Sequence, residues 1–220
     1  MNPLGPTTDN NNVALIAPAT ERITVALTGA SGIQYGLRLI ECLVASHVVV
    51  NVLLSKAALV VLAMEMDIDL SAKPALQKTR LCRLFQIEEN SPLLYIFSDQ
   101  EWTAPIASGS NISREMVVCP CTTGTLASIA HGSSDNLIER AADVTLKERK
   151  DLILVVRETP FSEIHLKNML TLSQAGALIM PANPGFYHRP TTVADLVDFM
   201  VARILDQLHI PQNLMRKWGE

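Results

Sequence analysis

Short runs of β-branched and other apolar residues alternate along the chain with longer helical patterns, and this alternation constrains the fold most. The apolar runs predict six buried strands, at 23–27, 48–54, 93–97, 116–119, 152–156 and 177–180. Helical patterns follow at 33–45, 56–64, 73–84, after 122, and at 136–149, 162–174 and after 192. Near-continuous apolar strands separated by helices are typical of a parallel sheet that helices cover on both faces. The sequence therefore predicts an α/β fold with a parallel sheet.

Composition favours one domain and excludes several classes of protein. The chain has 220 residues, of which 48% are hydrophobic and 18% charged, so it can bury a large core, and its few charges fit an oligomer. Its net charge of −4 and the lack of a basic run argue against nucleic-acid binding. No apolar run reaches the ~18–20 residues of a membrane span, and the first residues do not form a signal peptide. We expect a soluble, cytoplasmic protein with a disordered leader at 1–20 and one functional domain at 21–220.

Four cysteines, Cys42, Cys82, Cys119 and Cys121, do not form the pattern of a disulfide framework in a chain of this length. The spacing of Cys119 and Cys121 is C-x-C, whereas redox and zinc sites use C-x-x-C, and no second half-site with suitable histidines follows. We interpret these two residues as buried thiols at a strand end and expect no metal site.

The turn after the first predicted strand, Thr28-Gly29-Ala30-Ser31-Gly32, carries the clearest signal for a ligand. Ligands of parallel sheets bind at the carboxyl ends of the strands, and glycines let the backbone approach them closely. Free amides at the start of the next helix attract anions. The turn therefore indicates a phosphate site, although a tight turn without a ligand has the same pattern. It matches neither the P-loop nor the dinucleotide motif.

Three further strand ends carry polar side chains. Ser55 and Lys56 stand where NAD enzymes usually place an acidic residue, which favours a mononucleotide or an NADP-like phosphate. The hydroxyls of residues 122–125 indicate either ordinary helix capping or a second anion or ribityl contact. Arg157 and Glu158 indicate either a surface ion pair or a cation and an acid that serve phosphate chemistry.

Taken in order and with their spacing, several segments closely resemble the UbiX-type flavin prenyltransferase family. These segments are 27–32, 108–110, 119–125, 136–144, 147–149, 157–158, 184–187 and 218–220, within a resemblance that covers about 21–220. The resemblance implies a Rossmann-like or flavodoxin-like three-layer sandwich, in a single domain, that assembles into a homo-oligomer, a dodecamer. It also implies a metal-independent transferase. That enzyme joins the dimethylallyl group of dimethylallyl monophosphate to N5 and C6 of reduced FMN. The prenylated FMN would serve a UbiD-type decarboxylase, commonly in ubiquinone biosynthesis.

The resemblance also implies the site residues. FMN would be bound by Gly29, Ala30, Ser31, Ser55, Thr122, Thr123, Gly124, Thr125, Arg140 and Arg157. Dimethylallyl phosphate would be bound by Ser108, Lys147, Arg157, Tyr187 and Arg203, with Trp102 and Trp218 as walls of the prenyl pocket or as packing residues.

Catalysis would fall to Glu158, Ser31, Glu65 and Lys147. Glu158 would donate a proton to the leaving phosphate, while Ser31 and Glu65 would handle protons around N5. Arg140 and Lys147 lie seven residues apart on one predicted helix, which puts them on the same face. In this family some site residues come from neighbouring subunits.

Two other functions stay open at this stage. One is a flavin-dependent decarboxylase of the same fold, in particular a cysteine-peptide decarboxylase. That class uses a histidine in its middle region, and residues 102–110 contain none. The other is a non-enzymatic flavin carrier, which would not need Glu65, Lys147 or Glu158.

Overall fold

The structure is a computed structural model that describes residues 22–215 and Gly219. Its six strands are β1 (Arg22–Leu27), β2 (Val49–Leu54), β3 (Leu94–Phe97), β4 (Glu115–Cys121), β5 (Asp151–Val156) and β6 (Leu178–Pro181). Its helices are α1 (Ile33–Ala45), α2 (Lys56–Met66), α3 (Pro74–Leu84), α4 (Thr123–Ala130), α5 (Leu137–Lys147), α6 (Glu163–Gln174) and α7 (Val193–Gln207). The expected leader and Trp218 lie outside the described residues.

All six strands run parallel, in the order β3-β2-β1-β4-β5-β6. This order is that of a doubly wound Rossmann sheet, so the predicted fold class is confirmed. The predicted strands and helices agree with the structure to within one to two residues at most ends. One of the two-residue differences is at β4, which continues through Pro120 to Cys121, beyond its predicted end at residue 119. The sequence hid this extension because proline usually interrupts a central strand.

Helices cover both faces of the sheet and so form three layers. Side chains of α1, α2, α3 and α7 pack with one face of the sheet in one core cluster. Side chains of α4, α5 and α6 form a second cluster with the other face. Since β1 leads into α1 and β4 into α4, the chain leaves these neighbouring strands toward opposite faces. Among the described helices, none is both long and apolar enough to cross a membrane.

Helix α1 lies very close to the sheet because of Gly36. A Cβ at this position would collide with the carbonyl oxygen of Cys119 on β4 and with the side chain of Leu27 on β1. Both obstacles belong to buried strands, so neither can move away easily. Gly36 therefore sets the distance between α1 and the two central strands.

We predict that Gly36→Ala lowers the free energy of unfolding by about 2 kcal/mol, because overpacking a rigid core costs that much. The matched control is Gly124→Ala, also inside a helix. A Cβ there would have its nearest neighbour, the hydroxyl of Thr122, 3.9 Å away. Urea unfolding at fixed protein concentration measures both variants. Equal stabilities would contradict the close packing of α1.

Candidate active site

The loops that follow the strands meet at one edge of the sheet, which we call the carboxyl rim (residues 28–32, 55–56, 120–125, 157–158 and 182–187). Hydrogen bonds at the strand ends hold neighbouring loops together. The amide of Ser55 donates to the carbonyl of Leu27 at 3.1 Å, and the amide of Arg157 donates to the carbonyl of Cys121 at 3.2 Å. These bonds hold the rim loops at fixed spacing beyond the ends of the strands.

A carboxylate caps the start of α1. Glu65, near the end of α2, accepts hydrogen bonds from the amides of Gly32 at 2.9 Å and Ile33 at 3.3 Å. Gly32 has a φ of +92°, which favours glycine and turns these amides toward Glu65. Sequence analysis expected a phosphate at these amides; in the structure the carboxylate of Glu65 takes them.

The rim also brings Ser31 and Glu65 together. Burial raises the pKa of the Glu65 carboxyl. Hydrogen bonds from Ser31, Gly32 and Ile33, together with the attraction of Arg157, lower that pKa by more, so it lies below its ordinary value. Glu65 is therefore an ionised acceptor next to a hydroxyl. Such a pair can take up and pass on a proton.

Gly29 and Ser55 connect the first rim loop to α2. A Cβ on Gly29 would collide with that of Ala57 in the first turn of α2, so Gly29 is required for packing as well as for any ligand. The hydroxyl of Ser55 caps α2 by accepting a hydrogen bond from the amide of Ala58 at 3.0 Å. Its own O–H proton can still be donated outward.

Thr122 caps α4 in a similar way. Its hydroxyl accepts from the amide of Thr125 at 3.1 Å and donates to the hydroxyl of Thr125 at 2.9 Å. The capping alternative from sequence analysis therefore holds for Thr122. Thr125 keeps a proton to donate, and the amides of Thr123 and Gly124 in the first turn have no acceptor within the helix. This start of α4 can hold an anion.

Arg157 supplies a cation at the centre of the rim. Its Nε is buried and has no hydrogen-bond partner among the described residues. A buried, unpaired guanidinium donor is costly unless it meets an anionic ligand. Arg157 and Glu158 line a cleft of about 480 Å³ together with Pro160, Phe161 and Asn183. The carboxylate of Glu158 accepts from the amide of Thr159 at 3.1 Å.

Tyr187 and Arg203 form a second group, on the α7 side. The ring of Tyr187 makes edge contacts with Phe199 at 5.7 Å and with His188 at 5.6 Å between ring centroids. Phe199 and Arg203 are four residues apart on α7 and so share a face. The guanidinium of Arg203 forms an ion pair with Asp206 at 2.8 Å.

The remaining candidates lie along α5. This helix begins at the carboxyl rim, where the amide of Leu137 donates to the carbonyl of Asp99 at 2.7 Å, after β3. Arg140, in its first half, donates to the carbonyl of Ala107 at 3.1 Å and pairs with Asp143 at 2.8 Å. Trp102 is half exposed in the segment between β3 and β4.

Lys147 lies at the opposite edge of the sheet, because α5 ends there, just before β5 begins. It pairs with Glu148 beside Gly109, next to Ser108, whose hydroxyl lies 3.0 Å from that of Ser110. The shared helix thus does not bring Arg140 and Lys147 to the same end. Within one protomer, Lys147 is separated from the start of α5 at the rim by about the length of that helix, ~15 Å, and Ser108 lies on the segment between Ala107, which contacts Arg140, and Gly109, which contacts Lys147.

The thiols of Cys119 and Cys121 are free and fully buried. Burial raises the pKa of both thiols, that of Cys121 to about 12, so neither is a ready nucleophile. Within the described residues, no group of three or more His, Cys, Asp or Glu side chains could hold a metal ion.

A doubly wound sheet with helix starts, hydroxyls and a half-buried cation at its switch point is typical of a nucleotide-binding α/β protein. The family model described as Flavoprotein matches residues 9–205. Flavin prenyltransferase UbiX of Pseudomonas aeruginosa is 56% identical over 200 residues, which cover 91% of this chain and 95% of the relative. The chain therefore belongs to the Flavoprotein family and, within it, to the flavin prenyltransferase UbiX family.

Two solved structures are similar over nearly the whole chain. AnUbiX (PadA1), in complex with FMN and dimethylallyl pyrophosphate, is 37% identical with a TM-score of 0.80, over 91% of this chain and 98% of its own. A dodecameric FMN-dependent UbiX-like decarboxylase from Escherichia coli O157:H7 is 36% identical with a TM-score of 0.79, over 90% of this chain and 100% of its own. The family resemblance found in the sequence is confirmed.

Sequence analysis missed residues that support the site from behind. Phe199 is buried against the Tyr187 ring, and sequence analysis did not name it as a site residue. Gly185 is needed there too, because a Cβ would lie 2.9 Å from both rings. The glycine next to Phe186 and Tyr187 was a usable signal, but the partner across the fold was not visible in the sequence.

We predict that Glu65→Gln lowers the free energy of unfolding of the flavin-free protein by about 1 kcal/mol at pH 7, the usual worth of a helix cap. Because folding lowers the pKa of Glu65, its stabilisation is present above the unfolded pKa and is lost as the pH falls. The difference between variant and parent should therefore shrink below about pH 4.

The measurement is urea unfolding at several pH values and fixed protein concentration. Glu163→Gln is the control, because the Glu163 side chain is 79% exposed in its pair with Lys167. A difference for Glu65→Gln that stays constant from pH 7 to about pH 3 would show that its ionised carboxylate does not cap α1.

Proposed function

We propose that this chain is a flavin prenyltransferase. It joins the dimethylallyl group of dimethylallyl monophosphate to N5 and C6 of reduced FMN and releases phosphate. Support comes from the high identity to a relative that carries this name and from a similar structure that holds FMN and dimethylallyl pyrophosphate. The observation that carries the proposal is the arrangement at the rim. There, a proton-passing pair, Ser31 and Glu65, lies near Arg157, whose buried Nε has no hydrogen-bond partner among the described residues, and Glu158 follows Arg157 in the chain.

FMN fits the described residues without rearrangement of the rim. The start of α1 already holds the carboxylate of Glu65, which would repel a phosphate. The starts of α2 and α4 are open, and Ser55 and Thr125 each have a hydroxyl proton to donate. We therefore place the FMN phosphate against residues 122–125 and Ser55, with Gly29, Ala30 and Ser31 along the flavin. Arg157, and Arg140 in the first half of α5, would lie beside the flavin.

Reduced FMN, when bound, supplies the nucleophilic atoms N5 and C6. The C–O bond of the allylic phosphate breaks with its electron pair on oxygen, and the guanidinium of Arg157 stabilises the charge that develops there. The carboxyl of Glu158 gives a proton to that oxygen, which makes phosphate a better leaving group. Ser31 Oγ would take the proton released at N5 and pass its own to Glu65. For the second bond, at C6, the same pair would return that proton to the allylic C=C bond, and the released phosphate would accept the proton lost from C6.

The substrate phosphate needs more donors than one protomer brings to the rim. Lys147 lies at the far edge of the sheet, with Ser108 on the segment that reaches it. We therefore propose that these two residues serve the site of a neighbouring copy, where Tyr187 and Arg203 also bind the substrate phosphate. Trp102 and, outside the described residues, Trp218 would wall the prenyl pocket. The cation–π attraction of such rings suits an allylic cation.

Helix α2 supports an assembly of several copies. Its sequence is apolar on all sides, and a helix of that kind is normally buried. Within the protomer it buries Ala58 and Leu62, while Val60 and Met64 remain 58% and 79% exposed. It also connects Ser55 to Glu65, so a copy that covers α2 borders the site. We propose a homo-dodecamer, as named for the similar Escherichia coli protein.

The wider role is carried by the family resemblance alone. We propose that the chain acts in the cytoplasm and supplies prenylated FMN to a UbiD-type decarboxylase. In this family the common setting is ubiquinone biosynthesis. Residues 1–20 would be a leader that contributes nothing to the site. Residues 21–220 would form the catalytic domain.

Incubation of the purified protein with reduced FMN and dimethylallyl monophosphate, without oxygen, tests the function. We expect the mass of the flavin to rise by one five-carbon unit. Dimethylallyl pyrophosphate in a parallel reaction shows which phosphate is preferred. A flavin of unchanged mass, with protein that is folded and loaded with FMN, contradicts the prenyltransferase and leaves a decarboxylase or a carrier.

Glu158→Gln should keep FMN affinity within about threefold of the parent and slow the reaction by about 10²–10⁴-fold, the usual worth of a general acid. The flavin titration and the mass assay measure the two effects separately. Glu163→Gln, in the exposed pair with Lys167, is the control. Loss of FMN binding in Glu158→Gln would assign this side chain to binding and not to proton transfer.

Mixed oligomers test whether Lys147 serves a neighbouring copy. Lys147→Ala and Glu158→Gln should each be inactive alone. When the two are co-expressed, some sites combine an intact Lys147 with an intact Glu158 from another chain, and random assembly restores about a quarter of the parent activity. The two proteins mixed after assembly are the control. If co-expression restores nothing, Lys147 acts within its own chain.

A further inference from the structure

Thr28 lies just beyond the point where the regular backbone pairing of β1 with β4 ends. The two strands pair in register up to Ala26 and Val118. Beyond that point, β4 contains Pro120, which has no N–H to donate to β1. Thr28 is 1% exposed at this position, and it directly precedes the rim loop of Gly29, Ala30 and Ser31.

The side chain of Thr28 replaces the missing backbone bonds. Its hydroxyl donates to the carbonyl of Pro120 at 2.7 Å and accepts from the amide of Thr122 at 2.9 Å. Its own amide donates to the same carbonyl of Pro120 at 3.2 Å. The hydroxyl proton is therefore used within the protein, and the side chain is buried away from any ligand.

These bonds join two loops that lead to opposite faces of the sheet. On one side, the loop after Thr28 leads to α1 and to the pair of Ser31 and Glu65. On the other side, Thr122 is the cap of α4, whose first turn is the proposed phosphate site. A ligand that spans both loops binds well only if their separation is correct, and errors of about 1 Å at such a site are costly.

We propose that Thr28 is a positioning residue for the flavin: its hydroxyl sets the distance between the loop at 29–31 and the start of α4. This inference rests on the proposed function, because it assumes that FMN spans these two loops. Removing the hydroxyl leaves the amide of Thr122 without this acceptor, while the carbonyl of Pro120 keeps only the bond from the amide of Thr28. The distance between the two loops is then less firmly fixed.

Thr28→Val tests this because valine keeps the shape and removes the hydroxyl. Thr28→Ser keeps the hydroxyl and removes the methyl group. Thr24→Val is the matched control: Thr24 lies on the same strand, is 2% exposed, and its hydroxyl lies 2.7 Å from that of Ser113, away from the rim. Each variant is titrated with FMN, unfolded in urea and assayed for KM and kcat.

We expect Thr28→Val to raise the Kd and the KM for FMN by about tenfold or more, the effect of an unmet buried hydrogen bond that acts on the site. At saturating FMN, kcat should stay within about threefold of the parent, because Ser31, Glu65 and Glu158 are intact. Thr28→Ser should bind FMN like the parent. Thr24→Val should lower the urea midpoint by an amount similar to Thr28→Val but leave the Kd for FMN unchanged.

Three results would overturn the inference. The first is parent-like FMN affinity in Thr28→Val. The second is an equal loss of affinity in Thr24→Val, and the third is a loss of affinity in Thr28→Ser. If Thr28→Val does not fold, the FMN affinity of Thr28→Ser decides the question. A parent protein that does not bind FMN at all would instead overturn the proposed function, on which the inference depends.

Discussion

The rest of the structure depends on how the chain leaves the paired strands β1 and β4. The two strands are neighbours, yet the chain leaves them toward opposite faces, so a crevice opens between the starts of α1 and α4. Gly36 lets α1 lie directly on these strands, and the hydroxyl of Thr28 joins their ends. The proposed site lies where the regular pairing of β1 with β4 ends.

Charge within this crevice is divided between two functions. A chain of net charge −4 offers no general attraction for anions, so placed groups must do that work. Glu65 neutralises the start of α1 and leaves an ionised acceptor for protons, while the open first turn of α4 and the unpaired Nε of Arg157 can hold an anion. In the proposed site, one rim would thus provide a proton path on the α1 side and an anion site on the α4 side.

Much of the fold could be predicted from the sequence because apolar periodicity reports which side of an element is buried. The sequence also indicated the rim residues, since parallel strands place their carboxyl ends at one edge. It could not show that Glu65 caps α1, because the two are brought together only by the packing of α2. Nor could it show that Lys147 lies at the far edge, since shared helical phase says nothing about distance along the axis.

The central claim is that FMN lies across the crevice with its phosphate at α4. A crystal structure of the protein with FMN tests it most directly. We expect phosphate oxygens within hydrogen-bonding distance of residues 122–125, the flavin ring beside Ser31 and Arg157, and the carboxylate of Glu65 still on the amides of Gly32 and Ile33. A phosphate bound at those two amides in place of Glu65, or a flavin bound away from the crevice, would contradict the account.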